Sequence, residues 1–162
     1  MGTSETTPPS TALRHFGWNC LLLILFVSLC DQLSKFFAAR PAAPLTLIPR
    51  VLYLQLSHNG GAAWGILSGQ RVFLCALAVA VLAGGFLCRS RLRLERKWNR
   101  VAFGLIGGGI VGNLLDRLRL GYVVDFIDLH LPCYRWPTFN IADCALCLGV
   151  LLYIVTSSTE RK

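Results

Sequence analysis

Acidic residues are scarce, with 8 Asp and Glu against 16 Lys and Arg, for a formal net charge of +8. Histidine is scarcer still: three residues, with no His-x-x-x-His pair and no Cys/His ligand spacing to support a metal site. There is no Gly-x-Ser-x-Gly elbow and no convincing Ser–His pairing, which excludes the usual serine peptidases. Gly107-Gly108-Gly109 opens no phosphate loop, because it lies inside a long apolar run. Cys144-x-x-Cys147 has no second pair, and most of the seven cysteines sit in apolar stretches. They read as small hydrophobes, without a disulfide framework.

What is present is apolar. Hydrophobic residues make up 54% of the chain and the mean hydropathy is +0.56, above the 45–50% or so of soluble domains. The excess falls in four blocks: residues 16–37, 71–88, 99–116 and 139–155. Helices of 18–20 residues span roughly 30 Å, the thickness of a bilayer's hydrocarbon core. The expected architecture is an all-α membrane protein of four transmembrane helices in one domain, residues 14–156. A disordered cytoplasmic tail (1–13, with Pro8-Pro9) and a short cytoplasmic tail (157–162) flank it. The first block lacks an Ala-x-Ala site at its end, and Leu29 replaces the small residue that a lipidation box needs before Cys30. It is expected to be a retained span.

Between spans one and two, Pro41, Pro44 and Pro49 break helices, and Leu45, Leu47, Leu52, Leu54 and Leu56 alternate with other residues. A small extracytoplasmic β-rich segment is expected here, lying on the membrane and cradling an extended peptide by strand addition. Span three carries Gly104, Gly108 and Gly112 at four-residue spacing, a smooth strip that another helix can approach closely.

Charge placement sets the topology. Arg89, Arg91, Arg93, Arg96, Lys97 and Arg100 share one loop between spans two and three. The positive-inside rule puts that loop, and with it both termini, in the cytoplasm. Such a loop fits anionic lipid, and nucleic acid is not an expected partner. Loops 38–70 and 117–138 are then external. Asp31, Asp116, Asp125, Asp128 and Asp143 all converge on that outer face. Ionisable residues at membrane depth are expensive and mark function by default.

Asp31 and Lys35 are four residues apart and read as a self-neutralising pair. Asn113, Asp116 and Arg117 form either a helix-end network or a set of groups orienting others. Asp125 and Asp143 each stand in apolar surroundings. Two carboxylates held close share one proton, giving one base and one acid near neutral pH. The base can activate water, and the acid can protonate a peptide carbonyl and then the leaving amine. A proton relay, an ion site or helix caps are the alternatives. A relay needs acids through the full depth of the membrane, and spans two to four carry no acid in their inner halves.

Five blocks, in order, resemble bacterial lipoprotein signal peptidase (signal peptidase II). They are Asp31-Gln32-Leu33-Ser34-Lys35, Asn59-Gly60-Gly61-Ala62-Ala63-Trp64, Gly112-Asn113-Leu114-Leu115-Asp116-Arg117, Gly121-Tyr122-Val123-Val124-Asp125-Phe126 and Phe139-Asn140-Ile141-Ala142-Asp143. The resemblance implies an aspartic endopeptidase of the bacterial inner membrane that cuts prolipoproteins before a diacylglyceryl-modified Cys. Asp125 and Asp143 would be the catalytic pair. Asn59, Gly61, Asn113, Arg117 and Asn140 would bind substrate or orient the site, with Asp31, Lys35 and Asp116 in support. It implies no cofactor and no metal, inhibition by globomycin-type cyclic peptides, an active site near the periplasmic face, and a monomer. Trp64 departs from the family's usual Phe, keeping an aromatic wall while reshaping the pocket. The Thr/Pro-rich tail and the many cysteines are not family features.

Overall fold

A computed structural model of the protein describes residues 11–40 and 43–158. Four helices carry the fold: α1 (Thr11–Ala38), α2 (Arg71–Leu87), α3 (Lys97–Arg119) and α4 (Ile141–Ser158). Strands β1 (Leu45–Ile48) and β2 (Leu52–Asn59) lie between α1 and α2. Strands β3 (Val123–Leu131) and β4 (Tyr134–Arg135) lie between α3 and α4. The expected tails fall largely outside the described residues, at 1–10 and 159–162.

The four helices match the four apolar blocks. Trp18–Ala38, α3 and α4 are each long and apolar enough to cross a membrane, while α2 is apolar but has only 17 residues. The packing is inverted relative to a soluble bundle. Buried side chains include Ser28, Asp31, Lys35, Asn99, Asn113 and Asp116, while Leu22, Leu25, Phe26, Leu148 and Leu151 point outward. Large apolar side chains facing out from long helices suit a lipid surround.

Helix α3 is central, packed mainly against α4 and α1 and more lightly against α2. Its glycines set those distances. A Cβ on Gly108 would come 2.5 Å from Val27 Cβ of α1, and one on Gly112 would come 2.6 Å from Asp31 Oδ2. The smooth strip expected from the four-residue spacing is therefore the surface on which α1 lies. The close approach brings Lys35 and Gln32 of α1 within bonding reach of Asn113 and Asp116 of α3.

The expected β segment between α1 and α2 forms, and the sheet is larger than the sequence suggests. It is one four-stranded antiparallel sheet in the order β1-β2-β3-β4, so half of it comes from the segment 117–138 that read as a plain loop. β2 pairs with β3 in the register Ser57↔Asp125, His58↔Val124 and Asn59↔Val123, after a shift between Leu54 and Ser57. That register puts Asn59 beside the start of β3, where Asp125 lies. Asp128 clamps the hairpin beyond it, accepting bonds from Arg135 Nε (3.1 Å) and Nη2 (2.6 Å) and contacting His130 Nε2 (3.0 Å).

Candidate active site

The polar core forms where the C-terminal half of α3 meets the C-terminal end of α1, the start of β3 and the N-terminus of α4. Its foundation is an ion triad. Lys35 Nζ lies 2.7 Å from Asp31 Oδ2 and 2.8 Å from Asp116 Oδ2, and all three side chains are almost fully buried. The Asp31–Lys35 pair expected from the sequence is thus one side of a three-residue cluster. Each carboxylate also holds a neighbouring element. Asp31 Oδ1 accepts the Ala142 N–H of α4 at 2.9 Å, and Asp116 Oδ2 accepts the Val124 N–H of β3 at 3.0 Å. The triad therefore fixes the two residues adjoining Asp125 and Asp143 in sequence. Breaking a buried charge pair strands an uncompensated charge at a cost of about 3–5 kcal/mol.

Asparagines connect this base to the two aspartates. Asn113 Oδ1 accepts from Lys35 Nζ (3.2 Å), and its Nδ2 donates to Asp143 Oδ1 (2.8 Å). Asn140 Nδ2 donates to Asp125 Oδ1 (2.6 Å) and to Asn113 Oδ1 (3.2 Å). Asn59 Nδ2 donates to Asp125 Oδ2 (3.0 Å). Asn140 and Asp143 also cap α4 reciprocally. The Asp143 N–H donates to Asn140 Oδ1 (3.0 Å), and the Asn140 N–H donates to Asp143 Oδ2 (3.2 Å). This is a capping box with Asn and Asp in the two roles. The capping alternative for Asp143 is thus present, and it coexists with the carboxylate pair, since Asn140 bonds both Asp125 and Asp143.

Asp125 is 1% exposed. Burial pushes its carboxyl from 3.8 up to about 6. The Asn59 and Asn140 bonds oppose that rise and the Asp143 charge adds to it. Asp128, by contrast, is held below the ordinary carboxylate range by its bonds to Arg135. Two acids three residues apart on one strand therefore differ in environment and in use: Asp128 closes a hairpin, and Asp125 remains protonatable.

Arg117 and Gly61 complete the cluster. Arg117 Nη2 donates to Gly61 O (2.7 Å) and Nη1 to Asn113 O (3.2 Å), while the Gly61 N–H donates to Asn59 Oδ1 (3.0 Å). Residue 61 must be glycine, because a Cβ there would lie 2.7 Å from Ile66 O. The structure thus brings together Asn59, Gly61, Asn113, Arg117, Asn140, Asp125 and Asp143, over the Asp31–Lys35–Asp116 base. His58 and His130 stay apart from it, His58 stacked on Tyr122 at 4.3 Å and His130 on Tyr53 at 4.9 Å. Among the described residues no group of His, Cys, Asp and Glu is arranged to hold a metal.

One contributor was not assigned a role in the sequence. Gln32 Nε2 donates to Asp116 Oδ1 (2.9 Å) and Gly112 O (3.2 Å), tying α1 to α3 beside the triad. The signal was a polar residue in an apolar span next to an acid, which must face the bundle rather than lipid.

Apolar helices around a buried, asparagine-linked carboxylate cluster define an integral membrane protein with a polar site enclosed by its helices. The sequence model of the family described as Signal peptidase (SPase) II matches residues 23–159. A lipoprotein signal peptidase of Bacillus velezensis is 37% identical over 137 residues, covering 83% of this chain and 90% of that protein. Two solved bacterial membrane enzyme structures share the fold. One has a TM-score of 0.80 at 34% identity, covering 89% of this chain and 91% of its own. The other has a TM-score of 0.74 at 33% identity, covering 88% and 94%. This chain belongs to the signal peptidase II family.

Proposed function

We propose that this protein is an aspartic endopeptidase of the bacterial inner membrane that removes the signal peptide of prolipoproteins just before a diacylglyceryl-modified Cys. Asp125 and Asp143 activate the water. Family membership supports the substrate class. The observation that carries the mechanism is the joint bonding of Asp125 and Asp143 by Asn140, with one carboxyl pushed up to about 6 and the other at a helix N-terminus.

The asymmetry assigns roles. Asp143 sits in the first turn of α4, where backbone N–H groups and the helix dipole favour a negative charge. Asp125 is the group that burial drives toward protonation. Asp143 is then the base that takes a proton from water. Asp125 donates its proton to the scissile carbonyl, and the proton held on Asp143 passes to the leaving amine. Asn113, Asn140 and Asn59 hold the carboxylates in position. Arg117 and Gly61 fix the loop that flanks them.

A diacylglyceryl group keeps its acyl chains in the bilayer, so the cut site rides near the interface. Side chains at helix ends sit at that depth. In this reading α2, at roughly 26 Å, completes four crossings of one 14–156 domain. The basic loop and termini are cytoplasmic, the site and sheet periplasmic, and the enzyme acts as a monomer without cofactor or metal. Globomycin-type peptides inhibit it. The test is cleavage of a lipid-modified prolipoprotein by purified wild type, Asp125→Asn and Asp143→Asn, with and without excess chelator. Turnover lost in both variants and indifferent to chelator is expected. Full turnover in either variant would falsify the dyad.

A further inference from the structure

The other end of the bundle carries a second organised polar structure. It lies about 21 Å from the site along α3, measured from Asn99 to Asn113 at the helical rise. Asn99 is 4% exposed. Its Nδ2 donates to Leu92 O (3.1 Å) and Arg93 O (3.3 Å), and its Oδ1 accepts from Thr156 Oγ1 of α4 (2.8 Å). Leu94, in the same segment, is also 4% exposed. The segment between α2 and α3 is thus tied to α3 through Asn99, which Thr156 ties in turn to α4. Arg93 adopts a left-handed φ of 48° to make the turn.

Orienting a membrane protein by the positive-inside rule needs only the charge of such a loop during insertion. It needs no buried clamp. Docking has a different consequence: it fixes where the cations stand. Arg89, Arg91 and Lys97 are all exposed on the held segment. Arg89 packs its guanidinium over Phe86 at 4.7 Å, and Lys97 sits 5.5 Å from the centre of the Trp98 ring. Phe86, Leu87 and Trp98 are themselves more than half exposed. Cations set against exposed apolar and aromatic side chains, at the end of membrane helices, match the boundary where phospholipid headgroups meet acyl chains. The loop segment 89–100 has six basic residues against Glu95 alone.

We propose that this docked loop is a preorganised binding site for anionic phospholipid, with Arg89, Arg91 and Lys97 on the headgroup phosphate and Phe86 and Trp98 beside the acyl chains. Because the loop is already ordered, binding costs little conformational entropy. Lipid bound there ties α2 to the α3–α4 pair at the end of the bundle remote from the peptidase site. That link stabilises α2, the helix most lightly packed in the fold.

The experiment measures thermal unfolding of the full-length protein in neutral detergent while phosphatidylglycerol, phosphatidylcholine or inorganic phosphate is added. Wild type is expected to gain several degrees in midpoint with phosphatidylglycerol only. The triple variant Arg89→Gln/Arg91→Gln/Lys97→Gln should need at least tenfold more phosphatidylglycerol for the same gain, with prolipoprotein cleavage in detergent unchanged. Asn99→Leu, which removes the bonds to Leu92 O and Arg93 O and keeps every charge, should also weaken the response. Equal gains with phosphatidylcholine, or with inorganic phosphate, would overturn the proposal. So would an unaltered response in the triple variant, or one in Asn99→Leu, which would reduce the loop to generic charge. The readout is stability, so it stands or falls independently of the peptidase assignment.

Discussion

Asp125 is placed to cost stability for the sake of chemistry, and the cost can be measured. Its carboxyl is 1% exposed and pushed from 3.8 to about 6. Between those values the folded protein binds a proton that the unfolded chain does not, so stability falls as pH rises from about 4 to about 6 and is flat beyond. A shift of about two units corresponds to roughly 3 kcal/mol. Asp125→Asn removes that penalty and leaves the volume unchanged. Its amide cannot accept from both Asn59 and Asn140, a mismatch of about 1 kcal/mol that does not vary with pH. Relative to wild type, the variant should therefore gain roughly 3 kcal/mol on moving from pH 4 to pH 8. For a chain of this size that is roughly 6–12 °C in midpoint. Unfolding in detergent, followed through the fluorescence of the four tryptophans, reads the difference at each pH, alongside the loss of cleavage. A difference between variant and wild type that does not change with pH, or that favours wild type at pH 8, would refute the buried, protonatable assignment of Asp125.

Cleavage by the wild type should decline as pH rises through about 6, where Asp125 loses its proton; a pH–kcat/KM profile flat to pH 9 would contradict its role as acid. Asp116→Asn should lower both activity and midpoint, by about 3–5 kcal/mol of stability, since Lys35 and the Val124 N–H lose a charged partner. Leu54→Pro should impair cleavage more than membrane insertion, because β2 is bonded on both edges, to β1 and to β3; equal loss of both would count against the sheet as a substrate cradle.

Much of this arrangement was legible because lipid enforces strict rules. Four apolar runs became four helices. Polar residues within or beside them (Asp31, Lys35, Asn113, Asp116, Asn140) had to face the interior, since each is expensive in lipid. The glycine spacing in α3 marked the close contact with α1. What escaped was long-range or locally irregular. The run Val123–Leu131 did not read as a strand, because Asp125 and Asp128 are both buried and stand three apart. That spacing breaks the alternation by which a half-buried strand is recognised. Each is satisfied by partners distant in sequence or across a turn, Asn59 and Asn140 for one and Arg135 for the other. The ion triad was half visible. Asp31 and Lys35 declare themselves at helical spacing, whereas Asp116 joins them only through the α1–α3 contact. The clamp of Asn99 and Thr156 at the opposite end left no pattern beyond two polar residues near helix ends.

The central claim is that two carboxylates in this bundle hydrolyse one peptide bond beside a lipid-modified cysteine. Mass spectrometry of the products tests it most directly. Purified wild type and Asp143→Asn are incubated with a diacylglyceryl-modified prolipoprotein and with the same precursor carrying Ser at the modified position. One cut is expected, immediately before the lipidated Cys, made by wild type alone and absent from the Ser precursor. Cleavage elsewhere, equal cleavage of the unlipidated precursor, or products from well-folded Asp143→Asn would contradict it.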